Sequence, residues 1–471
     1  MFSSASIAFP WREPRRRFLH LLGFAVFLLD ALQLPAETKP GPNVILIMAD
    51  DLGYGDLSCF KGEKMRTPVL DKLAADGARF TNFYSGGTVC TPSRMALMTG
   101  RYPSRIGWTG GVMGHKMSPS TGLSSSIRTM AEVFKTAGYQ TAISGKWHLG
   151  EAPEMLPNAR GFNESLCILS SNNQTKKLWR NGELVTDAVD NRLLTEHFTR
   201  EAIRVIQAKD HRPFFLYLPF TAPHFPAEAH PDLKGKSTNG AYGDVVEELD
   251  SRIGEILSAL KESGQRENTL VFFLSDNGPE PSQKGFNSAG PLRGRKWSSM
   301  EGGTRVPGIV AWPGTIPAGQ TIDDMVCAID IFPTLARACG VSMAHVAAEI
   351  PMDGVDVWPS FLGKENGPPH ARTQLLYWEG WAEPQAIRIG QWKLFFDEVK
   401  DIPGSESGPA LFDLEANPDE SHNLAAEHPE KVKEMLEAAR KSLENIREFS
   451  LPMGGLPKES PAPATKSPRW L

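Results

Sequence analysis

Several simple readings of this 471-residue chain are excluded by what it has little of. It carries only five cysteines, Cys59, Cys90, Cys167, Cys327 and Cys339. An odd number cannot close a complete disulfide framework, and Cys59, Cys167, Cys327 and Cys339 lack metal-ligand spacing. Those four read as buried thiols or as one or two bridges. Positive charge is not in surplus: 50 Lys and Arg face 55 Asp and Glu, for a net charge of −5. A mildly acidic chain is not a nucleic-acid binder by charge. Internal repeats are missing. Gly, Pro and aromatic residues occur in ordinary proportion, which excludes collagen-like or largely disordered architectures. The N-terminal apolar run, residues 18–29, is too short to cross a bilayer comfortably, and Asp30 interrupts it.

That run has another use. Arg12, Arg15, Arg16 and Arg17 precede it, and Leu34-Pro35-Ala36 follows as a small-residue cleavage site in which only Leu34 is oversized. This is the layout of a secretory signal peptide over residues 1–36, with a retained N-terminal anchor as the alternative. Removing the segment takes away four arginines, Glu13 and Asp30, and moves the net charge from −5 to −7. An anionic substrate must then be drawn in by a local cluster of cations.

Four apolar runs each lead into residues of catalytic type. Val44-Ile45-Leu46-Ile47-Met48 leads into Asp50 and Asp51, and Thr141-Ala142-Ile143-Ser144 into Lys146-Trp147-His148. Phe214-Phe215-Leu216-Tyr217-Leu218 runs towards His224, and Leu270-Val271-Phe272-Phe273-Leu274 into Asp276-Asn277. Continuous apolar runs of this length read as strands buried on both faces, the habit of parallel sheets. Helical patterns at 68–76, 127–137, 194–208 and 242–261 alternate with them, so the class is α/β. Ligands in such sheets bind beyond the carboxyl ends of the strands, and four such ends imply one site.

From about residue 370 the pattern changes. Strand-like pieces at 386–389, 392–396 and 411–414, the turn Asn417-Pro418-Asp419-Glu420 and a helix over 429–449 predict a small antiparallel α+β unit. The expected organisation is a catalytic domain over 40–368, a C-terminal subdomain over 369–450 and a disordered tail over 451–471.

Cys90-Thr91-Pro92-Ser93-Arg94 follows the turn-like Ser85-Gly86-Gly87 and opens a helix, because Pro92 suits a first turn. Cys90 thereby stands at a helix N-terminus, where backbone N–H groups favour anions. An isolated cysteine would read as structural. The pentapeptide, followed by Met98-Thr99-Gly100-Arg101, resembles the signature of the type I, formylglycine-dependent sulfatases. The resemblance runs from about Asn43 to Val341 and is nearest to the arylsulfatase A and N-acetylgalactosamine-6-sulfatase branches; it weakens through 151–200 and in the C-terminal region.

The resemblance implies an alkaline-phosphatase-like sandwich: a large, mostly parallel central sheet flanked by helices, plus the small C-terminal subdomain. It implies that a formylglycine-generating or equivalent maturation enzyme oxidises Cys90, and that the hydrated aldehyde is the nucleophile. One hydroxyl attacks sulfur, and the other loses its proton to expel sulfate.

Asp50, Asp51, Asp276 and Asn277 supply hard oxygens from two strand ends, which points to Ca²⁺ or Mg²⁺ and away from zinc. A lone Asp-Asp pair would read as a solvated turn. The match of Asp50-Asp51-Leu52-Gly53-Tyr54-Gly55-Asp56 to the family implies a metal site, with one calcium ion per chain. By the same resemblance Lys146, in Gly145-Lys146-Trp147-His148-Leu149-Gly150, and Lys296, ahead of Glu301-Gly302-Gly303-Thr304-Arg305, contact the sulfuryl oxygens. Arg94 holds the nucleophile, His224 protonates the leaving alcohol together with Lys296, and His148 accepts the proton when sulfate leaves. Asp276 helps to deprotonate the attacking hydroxyl. His211 and His230 match no motif and read as surface or substrate-rim residues. Residues 165–181 and 227–239 are expected to form the pocket rim.

The expected function is therefore removal of sulfate from a sulfated carbohydrate or an aryl sulfate. The expected setting is periplasmic or extracellular, or lysosomal for an animal chain. Two alternatives compete: a phosphate or phosphonate monoester hydrolase of the same superfamily, and an inactive relative that only binds sulfated glycans.

Overall fold

The structure is a computed structural model. It describes residues 41–108, 111–114, 121–344, 346, 350–363, 372–379, 384–397 and 408–451. The signal or anchor segment and the tail beyond residue 451 lie outside the described residues.

Ten strands form one sheet. They are β1 (Asn43–Ala49), β2 (Ala78–Phe80), β4 (Gln140–Lys146), β5 (Glu164–Ile168), β6 (Leu178–Arg180), β7 (Glu183–Thr186), β8 (Phe214–Pro219), β9 (Thr269–Ser275), β10 (Gly308–Ala311) and β11 (Gln320–Ile322). Their spatial order is β11-β2-β10-β9-β1-β8-β4-β5-β6-β7. The five central strands, β9, β1, β8, β4 and β5, are all parallel, while β10 and β6 attach antiparallel on the two flanks. A separate pair joins β3 (Phe83–Tyr84) to β12 (Val326–Cys327).

The four apolar runs are thus the centre of the sheet, and their composition explains why. Val44, Leu46 and Met48 of β1 enter one core with Phe215, Tyr217, Phe272 and Leu274. Ile45, Ile47 and Ala49 enter the opposite core with Leu216, Leu218, Val271 and Phe273. A strand apolar on both sides must be covered on both sides. One face is covered by helices α2 (Cys90–Thr99), α3 (Met130–Thr136) and α7 (Ala328–Ala338). The other is covered by α1 (Pro68–Ala75), α4 (Leu194–Ile206) and α5 (Gly240–Glu262). Two short helices complete this part, α6 (Glu301–Thr304) and α8 (Trp358–Phe361).

Differences from the expected elements have local causes. Helix α3 starts at residue 130 rather than 127 because Thr129 caps it: its hydroxyl accepts from Glu132 N (3.1 Å) while Glu132 accepts from Thr129 N (2.6 Å). The segment 165–181 is not wholly a rim, because Ser165, Leu166, Cys167 and Ile168 belong to β5 and are buried in the sheet. No disulfide joins the five cysteines, so of the four read as buried thiols or bridges, Cys167, Cys327 and Cys339 are buried thiols and Cys59 is a half-buried one.

The C-terminal region carries a four-stranded antiparallel sheet, β13 (Gln374–Trp378), β14 (Pro384–Ile389), β15 (Trp392–Phe395) and β16 (Ala410–Asp413), crossed by α9 (Pro429–Glu448). Its core of Leu376, Ile387, Leu394, Leu411, Met435 and Leu443 is continuous with Tyr84, Ala96, Met300 and Ile329 of the preceding region. The two regions therefore share one apolar interior. No helix of the described residues is long and apolar enough to cross a membrane.

Candidate active site

The carboxyl ends of β1, β4, β8 and β9 converge. Beyond β1 the chain is held between its neighbours, with Asp50 N donating to Ala222 O (2.9 Å) and Asp276 N donating to Ala49 O (3.1 Å). Asp51 adopts φ 69°, a left-handed conformation that aspartate tolerates better than most residues. The turn sends its backbone N–H onto Asp276 Oδ1 (3.1 Å). Helix α2 begins at Cys90, as the position of Pro92 predicts, and ends at Gly100 with φ 65°.

Nine of the ten expected residues meet in one buried lattice of alternating charge. Lys146 Nζ contacts Asp50 Oδ2 at 2.7 Å, and Lys296 Nζ contacts Asp51 Oδ2 at 2.7 Å. Arg94 donates to Asp276 Oδ2 (3.0 Å), to Lys146 O (2.9 Å) and lies 3.4 Å from Asp50 Oδ2. Cys90 Sγ donates to Asp50 Oδ1 at 3.3 Å. His224 Nε2 is 3.7 Å from Asp51 Oδ2, and its Nδ1 donates to Phe225 O at 2.6 Å. Asn277 Nδ2 donates to Asp51 Oδ1 at 2.7 Å.

His148 stands apart. Its Nε2 donates to Met113 O at 3.0 Å, and no hydrogen bond or ion pair joins it to the other nine. A carbonyl only accepts, so Nε2 carries the proton and Nδ1 carries the lone pair. That Nδ1 is buried without a hydrogen-bond partner. Burial, with Lys146 and Arg94 nearby, holds this imidazole well below its usual range, so it is neutral.

The oxygen donors fit a hard cation. Asn277 Oδ1 is buried and accepts no hydrogen bond, although its own Nδ2 is doubly used. An amide oxygen left bare in the interior is costly unless something else satisfies it. Ligand atoms of Asp50, Asp51, Cys90 and His224 also lie within 4.8 Å of one another. Carboxylate and amide oxygens are the donor set of calcium or magnesium.

Protonation follows from burial and neighbours. Burial and the adjacent Asp50 push the Asp276 carboxyl up to about 7. Burial opposes charge on Lys296, but Asp51, Cys90 and Asp50 together outweigh it and hold the ammonium well above its usual range. The Cys90 thiol is pushed well above its usual range by burial and by Asp50. A thiol held in its protonated form is a poor nucleophile.

Two residues that the sequence reading did not single out join the lattice. Ser171 Oγ accepts from Lys146 Nζ (3.1 Å) and lies 3.4 Å from His224 Nε2. It follows the end of β5, so the same rule of apolar run followed by polar residue applies to it. Glu280 Oε2 lies 3.3 Å from Lys296 Nζ. His230 sits against Glu196 and the backbone-bound Glu248, joined to none of the ten by a hydrogen bond or ion pair.

The sequence model of the Sulfatase family matches residues 42–341. That of the N-sulphoglucosamine sulphohydrolase C-terminal region matches residues 296–448. Arylsulfatase A of Bos taurus is 34% identical over 448 residues, covering 85% of this chain and 86% of the relative. N-acetylgalactosamine-6-sulfatase of Mus musculus is 36% identical over 398 residues, covering 78% and 74%. A solved structure of Ps i-CgsB in complex with k-i-k-neocarrahexaose is 30% identical, with a TM-score of 0.74 and coverage of 88% and 95%.

Burial of the thiols yields a test. In protein made without conversion of Cys90, iodoacetamide at pH 8 should leave Cys90 unalkylated in the native state and modify it only after denaturation. Peptide mass spectrometry reads the result, and rapid native alkylation of Cys90 would contradict the raised thiol pKa.

Proposed function

The chain belongs to the sulfatase family, and from that premise we propose that it removes sulfate from a sulfated carbohydrate or aryl sulfate, using formylglycine made from Cys90 and one calcium ion. The observation that carries this reading is Cys90 at a helix N-terminus, 3.3 Å from Asp50, inside a lattice that sets three carboxylates against three cations. That the chain is a sulfate-ester hydrolase follows from the family; the nucleophile, the metal and the residue roles are the proposal.

Oxidation of Cys90 by a maturation enzyme would replace an unreactive thiol with a hydrated aldehyde, which supplies one hydroxyl to attack sulfur and a second through which sulfate can leave. Asp50, Asp51, Asp276 and Asn277 would hold the calcium ion, which supplies Lewis-acid charge beside the sulfuryl oxygens and lowers the pKa of the attacking hydroxyl.

Substrate orientation follows from which of the described site residues reach solvent. Eight of the ten residues are at most 1% exposed, whereas His224 is 8% and Lys296 5% exposed. The opening is therefore at His224 and Lys296, and the sulfuryl group must point inward towards Lys146 and Arg94. The organic part of the ester stays outside. Its bridging oxygen then faces His224 and Lys296, which suits the Lys296 ammonium to donate a proton to the departing alcohol, and His224 as well once its Nε2 has taken one up, since its Nδ1–H is bound to Phe225 O. Lys146 and Lys296 stabilise charge that spreads over the sulfuryl oxygens in the transition state. Arg94 orients the nucleophile through its bonds to Asp276 and the Lys146 carbonyl. Asp276, with its carboxyl near 7, can take the proton of the attacking hydroxyl. His148, neutral with a free Nδ1, can take the proton when sulfate leaves.

The exposed Phe225 and Trp297 neighbour His224 and Lys296 in sequence, and apolar faces there would suit the organic part of the ester. The oligosaccharide bound by Ps i-CgsB favours a carbohydrate. Residues 40–368 would be the catalytic domain and 369–450 the C-terminal subdomain. Residues 1–36 would direct export to the periplasm or outside the cell, or to the lysosome in an animal.

Four outcomes test the reading. Converted protein should hydrolyse p-nitrophenyl sulfate well above p-nitrophenyl phosphate, with residue 90 carrying an aldehyde by mass spectrometry. Cys90→Ala should lower kcat by at least about 1,000-fold without loss of the fold; an unmodified thiol in active protein, or phosphate as the better substrate, would reject the proposal. Chelation should lower the melting temperature, and calcium should restore it in proportion to its excess over Kd; an unchanged melt in both conditions argues against a resident metal. His224→Ala should slow esters of poor leaving groups by about 100-fold or more, and activated aryl sulfates much less. Equal losses on both would remove His224 as proton donor.

A further inference from the structure

Two sequence features remain without a role: the segment from Glu301 to Arg305, and the turn Asn417-Pro418-Asp419-Glu420. The structure brings them together through Lys393 of β15. Lys393 is fully buried. Its ammonium donates to Ser299 O (2.8 Å) and Glu301 Oε1 (3.0 Å), and it lies 2.8 Å from Glu420 Oε1 as an ion pair. It also sits 4.0 Å from the centre of the Tyr377 ring. Glu420, likewise fully buried, accepts from Glu301 N through Oε2 (2.8 Å) and from Arg293 through its backbone carbonyl (3.1 Å).

These contacts grip one segment at both ends. Arg293 is held at its start, and Ser299 and Glu301 at its finish. Between them Lys296 projects onto Asp51. Among the described residues, the hydrogen bonds and ion pairs of Lys296 itself go to Asp51, Glu280 and Pro279, and none to β15 or the turn. Within the segment, Lys296 N donates to Pro279 O (3.2 Å) and Trp297 N to Thr88 O (3.0 Å), with Trp297 at φ 78°. The conformation is unusual for a tryptophan and needs outside support.

The grip is itself strained. Glu420 adopts φ 52°, rare for a residue other than glycine, asparagine or aspartate. Asn417 enforces it: its carbonyl accepts from Glu420 N (3.1 Å), and its Oδ1 accepts from Ser421 N (2.8 Å) and His422 N (3.0 Å). In this conformation the carbonyl and the carboxylate of one residue both reach the same segment. Buried ionic networks of this kind are a poor source of net stability, because desolvation offsets the attraction. Their use is to specify one arrangement.

We propose that Lys393 and Glu420 are positioning residues that set the Lys296 ammonium in the active site, so that the C-terminal subdomain completes the catalytic apparatus. The inference rests on the reading of Lys296 as a contact of the sulfuryl group.

A double-mutant cycle on converted, metal-loaded protein with p-nitrophenyl sulfate tests it. Lys393→Met should lower kcat/KM by about 10- to 100-fold. In a Lys296→Ala background the same change should cost less than about twofold, because the group it positions is already gone. Glu420→Gln, nearly isosteric and still able to accept from Glu301 N, runs the same cycle if Lys393→Met does not fold. Independent losses that multiply in the double variant would overturn the proposal, since a merely structural defect acts whether or not Lys296 is present. Wild-type turnover in either clamp variant would overturn it as well. Lys296→Ala alone tests the underlying reading: if it keeps wild-type kcat, the role of Lys296 in catalysis falls, a result distinct from a failed cycle.

Discussion

The structure depends on a neutral lattice of six buried charges. Asp50, Asp51 and Asp276 are each matched by a cation from another element: Lys146 from β4, Lys296 from the segment before α6, and Arg94 from α2. A buried charge without a partner costs several kcal/mol, and breaking one such pair typically costs about 3–5 kcal/mol. Each strand end must therefore arrive in register with the others. The parallel centre of the sheet provides this, because β9, β1, β8 and β4 all deliver their carboxyl ends to one side. The site and the sheet order are one constraint.

The same lattice explains why cysteine itself is unsuited to the chemistry. Cys90 is enclosed beside Asp50, and burial with that carboxylate disfavours the thiolate. The hydrated aldehyde proposed in its place would need no full negative charge before reaction and would share its protons with Asp276 and, later, His148. An environment that suppresses a thiol would thus still allow a geminal diol to be activated.

Part of the site was legible from strand composition. Continuous apolar runs are buried on both faces, so β1, β4, β8 and β9 were readable with the polar residues at their ends, Asp50, Asp51, Lys146, His224, Asp276 and Asn277 among them, whereas Cys90, Arg94 and Lys296 rested on the resemblance to the family. Flanking strands were not legible. β2, β10 and β11 are three or four residues long and gain their identity by pairing beside strands already placed. Ser171 escaped because 165–181 read as pocket rim, although Leu166, Cys167 and Ile168 form a short buried strand. Glu280 escaped because an acid that reaches a lysine through space has no local signature. The contacts of Lys393 with Ser299 and of Glu420 with Glu301 were beyond reach for the same reason: they join positions 94 and 119 apart in the chain.

Charge also bears on where substrate choice is made. The three carboxylates and three cations cancel, and the more exposed side of the lattice lies at His224, which burial keeps below its usual range. A divalent ion on Asp50, Asp51, Asp276 and Asn277 would add two positive charges to an interior where unpaired charge is strongly disfavoured. A proton passed from the nucleophile to Asp276 stays inside the site and leaves that total unchanged, so the excess has to be met by the substrate. The count of charges that the fold has fixed thus calls for an anionic ester group, while the choice among such esters passes to the surface outside His224 and Lys296.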